Sequence, residues 1–188
     1  MEARPTSLPD ALVIEATVHG DERGFFHETY RRAAFAAFGI GDDFIQHNHS
    51  RSARGVLRGM HLQLGEGISK LVRCVRGEIV DVIVDVRHGS PAYGRWEAFT
   101  LDDRSHRQLY VPVGFAHGFC VTSDLADVVY LQSGYYDAGL ERAIAFDDPD
   151  LAIAWPPLPA LTVSARDRAA PTLREIAGQL PFRYPAHG

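Results

Sequence analysis

A chain of 188 residues is long enough for one well-buried domain and cramped for two. Its hydrophobic content of 46% with 10% aromatics is that of an ordinary globular protein, and a net charge of −5 argues against a general nucleic-acid binder. No apolar run reaches membrane-spanning length, and Met1-Glu-Ala-Arg-Pro5 has no apolar signal core, so the expectation is a cytoplasmic protein with no membrane partner.

The first strand signal is Ala11 to Val18. Gly20 to Gly24 reads as a turn, and Phe25 to Tyr30 as a second strand. The alanine-rich stretch Arg31 to Phe38 suits a helix, with Gly39 placed to cap its C-terminus. After Gln46-His-Asn-His-Ser50 the pattern becomes strongly β. Lys70 to Val75 runs into the turn signal Arg76-Gly77. In the following run, Val80, Val82, Val84 and Val86 share one face, while Ile79, Asp81, Ile83 and Asp85 share the other. Its β-branched density favours a strand over a helix. Further strands are expected at Trp96–Leu101, Gln108–Val111, Gly118–Thr122 and Asp127–Ser133. Short strands at regular spacing indicate a mainly β sandwich or barrel. Pro156, Pro157 and Pro159 break the pattern, and Thr172–Gln179 is a short helix. One domain over residues 1–188, with helical trim from about residue 157, is the expected organisation. Cys74 and Cys120 lie inside strands and read as packed thiols rather than a disulfide framework.

The chemistry-bearing stretch is Arg58-Gly-Met-His-Leu-Gln63 with Lys70 nine residues beyond His61. Pro112 to His117 adds a second histidine behind a Pro-x-Gly turn. A histidine, a lysine and nearby tyrosines suit proton movement on a carbon next to a carbonyl: base, enolate holder and proton donor. His61 alone could be a hydrogen-bonded barrel histidine, but Arg58 and Gln63 beside it suggest a lined pocket. Metal binding by a His-x-His pair is disfavoured, because Gln63 takes the second position and Lys70 the acidic one. His117 and the pair His47-x-His49 are the remaining imidazole candidates. Tyr130, Tyr135 and Tyr136 are either ordinary strand aromatics or, opposite His61, a proton donor. Asp167 either starts the last helix or accepts the second ring proton of the histidine; the sequence leaves both open.

The chain resembles the dTDP-4-dehydrorhamnose 3,5-epimerases and related deoxysugar epimerases. The resemblance covers nearly the whole chain. It rests on Asp21-Glu-Arg-Gly-Phe-Phe26, Gln46 to Ser50, Gly55 to His61, Lys70 to Gly77, Asp81 to Arg87, Gly89-Ser-Pro91, Tyr110-Val-Pro112, Gly114 to Phe119 and Asp148-Pro-Asp-Leu151 before Trp155-Pro156. These blocks in this order are specific; any one alone is weak. The resemblance implies a cupin-type jelly-roll with a few short peripheral helices, assembled as a homodimer. It implies a dTDP-4-keto-6-deoxy-D-glucose substrate, inversion at C3 and C5 through enolates, and no metal or cofactor.

By motif, His61 resembles the base, Asp167 its carboxylate partner, Lys70 the group facing O4 and Tyr130 the acid on the opposite face. Arg23, Phe26, Glu28, Gln46, Asn48, Arg58 and Tyr136 resemble nucleotide and sugar contacts, some supplied by the partner subunit. His117 resembles a pocket-lining histidine. Departures from the family pattern fall at the short Gly65–Gly67 loop, Gly134, Ala138, Phe146 and Arg166. A mono-epimerase acting at C3 or C5 only is the nearest alternative. A metal-dependent cupin oxygenase and a non-catalytic sugar-nucleotide binding barrel are more distant ones.

Overall fold

Alternating side chains let each strand bury one face between two sheets while the other face seeks separate cover. The computed structural model describes residues 1–185. In chain order the strands are β1 (Glu2–Pro5), β2 (Leu12–Glu15), β3 (His19–Asp21), β4 (Gly24–Phe26), β5 (Gln46–Ala53), β6 (Val56–Gln63) and β7 (Lys70–Arg76). They continue as β8 (Glu78–Asp85), β9 (Trp96–Asp102), β10 (Gln108–Val111), β11 (Phe115–Val121), β12 (Leu125–Gln132), β13 (Glu141–Ala143) and β14 (Thr162–Val163). The helices are α1 (Arg32–Ala37), α2 (Ala165–Arg168) and α3 (Leu173–Ile176), the last running into a 3-10 turn at Ala177–Gln179.

The first sheet has the order β1-β2-β10-β7-β12-β5 and the second β13-β6-β11-β8-β9, with β14 also paired to β6. This is the expected mainly β jelly-roll with short peripheral helices. Between the sheets lie Val72, Cys74, Ile79, Ile83, Leu101, Leu109, Phe119 and Val128. Val82, Val84 and Val86 point the other way, onto Leu173, Ile176 and Leu180 of the C-terminal segment. The two-faced reading of β8 therefore holds, and both faces are buried because the C-terminal segment covers the outer one. On the far side, Phe35 of α1 packs with Ile14, Ile40 and Leu71. Cys74 and Cys120 are buried free thiols.

Some boundaries differ from expectation. The segment around Gly20–Gly24 is a β3–β4 hairpin rather than a turn alone, and β4 ends at Phe26 instead of continuing to Tyr30. After Phe26 the chain leaves its hairpin partner, and Thr29 O instead accepts from Gln108 Nε2 at 2.8 Å. Helix α1 matches its predicted span, and Gly39, with φ at +85°, follows the C-cap as a left-handed residue. Thr172 is the N-cap of α3 in a capping box with Glu175, so the last helix begins where its sequence signal stands. The buried Asp148 carboxylate accepts from Leu173 N at 2.7 Å and from Asp150 N at 2.8 Å, tying α3 to the sandwich.

Candidate active site

The site begins with an irregularity in β6. His117 is opposite His61, and Phe119 opposite Arg58, so two residues of β11 span three of β6. The extra residue reverses the alternation. Arg58 and His61, three apart, both line the cavity between the sheets, while Met60 between them is buried against the C-terminal segment. Gly59 permits this crossing: its φ is +129°, and a Cβ there would stand 2.5 Å from the Cα of Gly118. The backbones of β6 and β11 touch at two glycines, and the two histidines are presented side by side.

The cavity has a volume of about 220 Å³ and is lined by Ser50, Arg58, His61, Lys70, His117, Tyr130 and Tyr136, with Glu141 and Arg166 at its edge. His61 stands on the second sheet and Tyr130 on the first, so the two reach into the cavity from opposite walls.

Asp167 does not start the last helix, which begins at Thr172; it lies one helix earlier, as the third residue of α2. Ser164 caps α2, its side chain accepting from Asp167 N at 3.0 Å. The Asp167 carboxylate meanwhile lies 2.7 Å from His61 Nε2. The parallel pairing of β14 with Val56 and Leu57 delivers α2 to that place. A carboxylate at Nε2 favours the tautomer protonated there and leaves Nδ1 as the basic nitrogen. Burial works against ionisation of Asp167, but the bonds from His61, Ser164 and Gly59 outweigh it and hold the carboxyl below its ordinary range. Burial also lowers His61, Lys70 adds to that effect, and Asp167 opposes it. The net effect is to favour the neutral imidazole.

Lys70 opens β7 on the first sheet. Removal from water pulls its ammonium down to about 8, partly offset by Asp81 and Glu141. Burial raises the phenol of Tyr130, Glu141 and Tyr136 add to the rise, and Arg58 opposes it. His117 is buried with its Nε2 at 2.9 Å from the fully buried Asp81, forming a second His–Asp pair beside the first. Arg58, on the second sheet, donates to Ser52 Oγ of β5 on the first sheet at 3.1 Å.

Gln63 and Gln46 hold the loop that carries Tyr136. Gln63 Nε2 donates to Tyr135 O at 3.1 Å, and its Oε1 accepts from Asp137 N at 2.9 Å. Gln46 Oε1 accepts from Tyr136 N at 2.9 Å, while its Nε2 donates to Asn48 Oδ1 at 3.0 Å. Tyr135 is largely exposed. On the outer face of β5, His49 pairs with Asp127 at 3.1 Å. Among the described residues, no group of three or more His, Cys, Asp or Glu side chains is arranged to hold a metal ion.

Not every expected residue joins this cavity. Arg23 and Phe26 lie on the β3–β4 hairpin and line a separate hollow of about 460 Å³. Arg23 pairs with Asp21 on the same hairpin, and Glu28 with Arg31 at 3.2 Å. Within one chain these three do not meet His61. Conversely, Asp81, Glu141 and Arg166 were given no role from sequence. Asp81 carried a signal, a carboxylate on the interior face of an apolar strand; Glu141 carried none.

A sequence profile of the dTDP-4-dehydrorhamnose 3,5-epimerase family matches residues 5–175. The chain belongs to this family. It is 46% identical over 169 residues to the dTDP-4-dehydrorhamnose 3,5-epimerase of Pseudomonas aeruginosa, covering 89% of this chain and 93% of that protein. Among solved structures it is similar to an epimerase, RmlC, from Legionella pneumophila in complex with dTDP-4-keto-L-rhamnose. That likeness has a TM-score of 0.95 and 42% identity, covering 98% of this chain and 99% of the other. It is also similar to ChmJ, a 3'-monoepimerase from Streptomyces bikiniensis in complex with dTDP-quinovose. There the TM-score is 0.88 with 40% identity, covering 95% and 92% of the two chains. The family is one of carbohydrate epimerases, which are isomerases, with a cupin-type fold. No helix among the described residues is long and apolar enough to cross a membrane.

Proposed function

We propose that this protein inverts C3 and C5 of dTDP-4-keto-6-deoxy-D-glucose to give dTDP-4-keto-L-rhamnose. The observation that carries the reading is the His61–Asp167 pair on one wall of the cavity and Tyr130 on the other, with desolvated Lys70 nearby. Carbons 3 and 5 both flank the C4 ketone. His61 takes the C–H proton, and the bonding electrons move onto O4 as an enolate. The Lys70 ammonium holds that negative charge in a site of low dielectric. The enolate collapses as the Tyr130 phenol gives a proton to the opposite face of the same carbon. His61 then loses its proton, and Tyr130 regains one, through solvent. The balance is an isomerisation by proton transfer alone, with Lys70 holding the charge on O4, so this route calls for neither a metal nor a redox cofactor.

Arg58, Gln46, Asn48, His117 and Tyr136 contact sugar and diphosphate in this reading, an arginine fork matching phosphate oxygens. Arg23, Phe26 and Glu28 reach the site from the partner of a homodimer. The chain acts as one domain, its C-terminal segment supplying Asp167. The reaction belongs in the cytoplasm, alongside nucleotide-sugar synthesis.

The likeness to a 3'-monoepimerase favours a second reading, inversion at C3 alone. One experiment separates them: turnover of dTDP-4-keto-6-deoxyglucose in D2O, with deuterium read at each carbon by NMR. Deuterium at C3 and C5 with rhamno product is expected. Deuterium at C3 only assigns mono-epimerisation, and none at either carbon overturns the epimerase reading.

A further inference from the structure

The catalytic cavity and a second groove share one wall. The groove, about 420 Å³, runs along Arg142, Ala169, Pro171 and Ile176, and Glu141 and Arg166 line both spaces. These two side chains come from β13 and α2 and form an ion pair, Arg166 Nη1 donating to Glu141 Oε2. The same carboxylate oxygen accepts from the Tyr136 hydroxyl at 2.9 Å. Arg166 Nη2 lies 3.2 Å from His61 Nε2, and Arg166 Nε 3.7 Å from Asp167 Oδ1. Since Nε2 carries its proton toward Asp167, the approach of the guanidinium is electrostatic rather than a hydrogen bond. A cation at that distance disfavours a second proton on the imidazole; a carboxylate bound to the cation cancels the effect.

We propose that Glu141 and Arg166 are positioning residues working as a unit, which balances the charge beside the His61 base and holds Tyr136 at the rim of the cavity. The consequence for turnover rests on the epimerase reading; the charge balance does not. The groups facing His61 are Asp167 and Arg166 from α2, Glu141 from β13, Lys70 from β7, Arg58 on its own strand, and the His117–Asp81 pair from β11 and β8. Tyr130 and Tyr136 line the same space. Only the Glu141–Arg166 pair combines both signs at the outer edge of this set. Removing one member therefore leaves its partner's charge uncompensated next to the base.

The two members must act in opposite directions. Without the Glu141 carboxylate, Arg166 and Lys70 oppose the imidazolium, so His61 titrates at lower pH. Without the Arg166 guanidinium, Glu141 and Asp167 support the imidazolium, so His61 titrates at higher pH. A purely structural role would not produce opposite signs.

The test follows the ring proton of His61 by NMR against pH, assigned by its loss in His61→Asn. Glu141→Gln is expected to lower the midpoint and Arg166→Gln to raise it, each by about half a unit or more. The double variant should fall between them, and Arg166→Lys close to wild type. An unmoved midpoint in both single variants, or a shift of the same sign, overturns the proposal. The acid limb of kcat/KM for deuterium exchange should shift with the midpoint. If wild-type protein exchanges no deuterium, the epimerase reading fails while the titration still decides the pair.

Discussion

Lys70 is the only lysine in the chain, and its desolvated ammonium titrates near 8. In the proposed reaction it supports an enolate only while charged, so turnover should fall as pH rises through about 8. His61 accepts a proton only while neutral, and burial places its titration below the ordinary histidine value, so turnover should also fall in acid. A bell-shaped kcat/KM profile is expected, with Lys70→Gln losing ~10²–10³ in rate together with the alkaline limb. The amine can be read independently of activity. Besides the N-terminus it is the one acylation target, and its labelling rate by mass spectrometry should inflect near 8. A labelling curve typical of an exposed lysine would remove the basis for the alkaline limb. In the same proposed reaction Tyr130 serves the opposite face, and its raised titration keeps the phenol protonated across this window. Tyr130→Phe should leave exchange with solvent at C3 largely in place while inverted product drops by ~10²–10⁴. Normal inversion in that variant would assign the acid to another group, with Tyr136 the nearest candidate.

At the scale of elements, the site depends on the bulge in β6. Gly59 holds a positive φ, and a Cβ there meets Gly118 Cα at 2.5 Å and His117 O at 2.9 Å, backbone atoms that cannot swing aside. Gly59→Ala should therefore cost about 2–4 kcal/mol of stability, seen as a lower urea midpoint, and should reduce turnover even at temperatures where the variant is folded. Stability and turnover both at wild-type level would show that the close approach is not needed. This feature also marks the limit of sequence reading. β7 and β8 were legible because β-branched residues alternate along them, and α1 because alanines precede a capping glycine. The facing of Arg58 was not legible, since strand alternation puts residues three apart on opposite faces and the bulge arises from contact with β11, nearly sixty residues away. The ion pair of Glu141 with Arg166 was hidden for a similar reason: it joins a short edge strand to a one-turn helix, and neither has a local pattern that points to the other. The residues alone left Asp167 with two alternatives, because it meets His61 only through β14, across 106 positions of chain.

At the scale of the whole molecule, one feature of the single chain is out of place. The β3–β4 hairpin is exposed along its whole length, with Phe25 60% and Phe26 72% accessible. Two adjacent exposed phenylalanines at a hairpin end are a costly surface for a protein that stays alone, and such patches mark contacts with other molecules. Arg23 sits on the same hairpin, away from His61. The homodimer proposed above would reconcile these facts if each hairpin reaches the other chain's cavity and brings Arg23 and Phe26 against the nucleotide. The arrangement predicts complementation. Arg23→Ala and His61→Asn homodimers should each be impaired, the first in nucleotide binding and the second in proton abstraction. In the mixed dimer, the barrel with His61 receives the hairpin with Arg23, so one site is whole and the other carries both lesions. Random reassortment should then restore roughly a quarter of the wild-type sites. Mixed dimers isolated with two different affinity tags should show this recovery in turnover, with KM near wild type. If isolated mixed dimers show only the sum of the two impaired activities, each site is built from one chain, and the exposed phenylalanines serve assembly without entering the site.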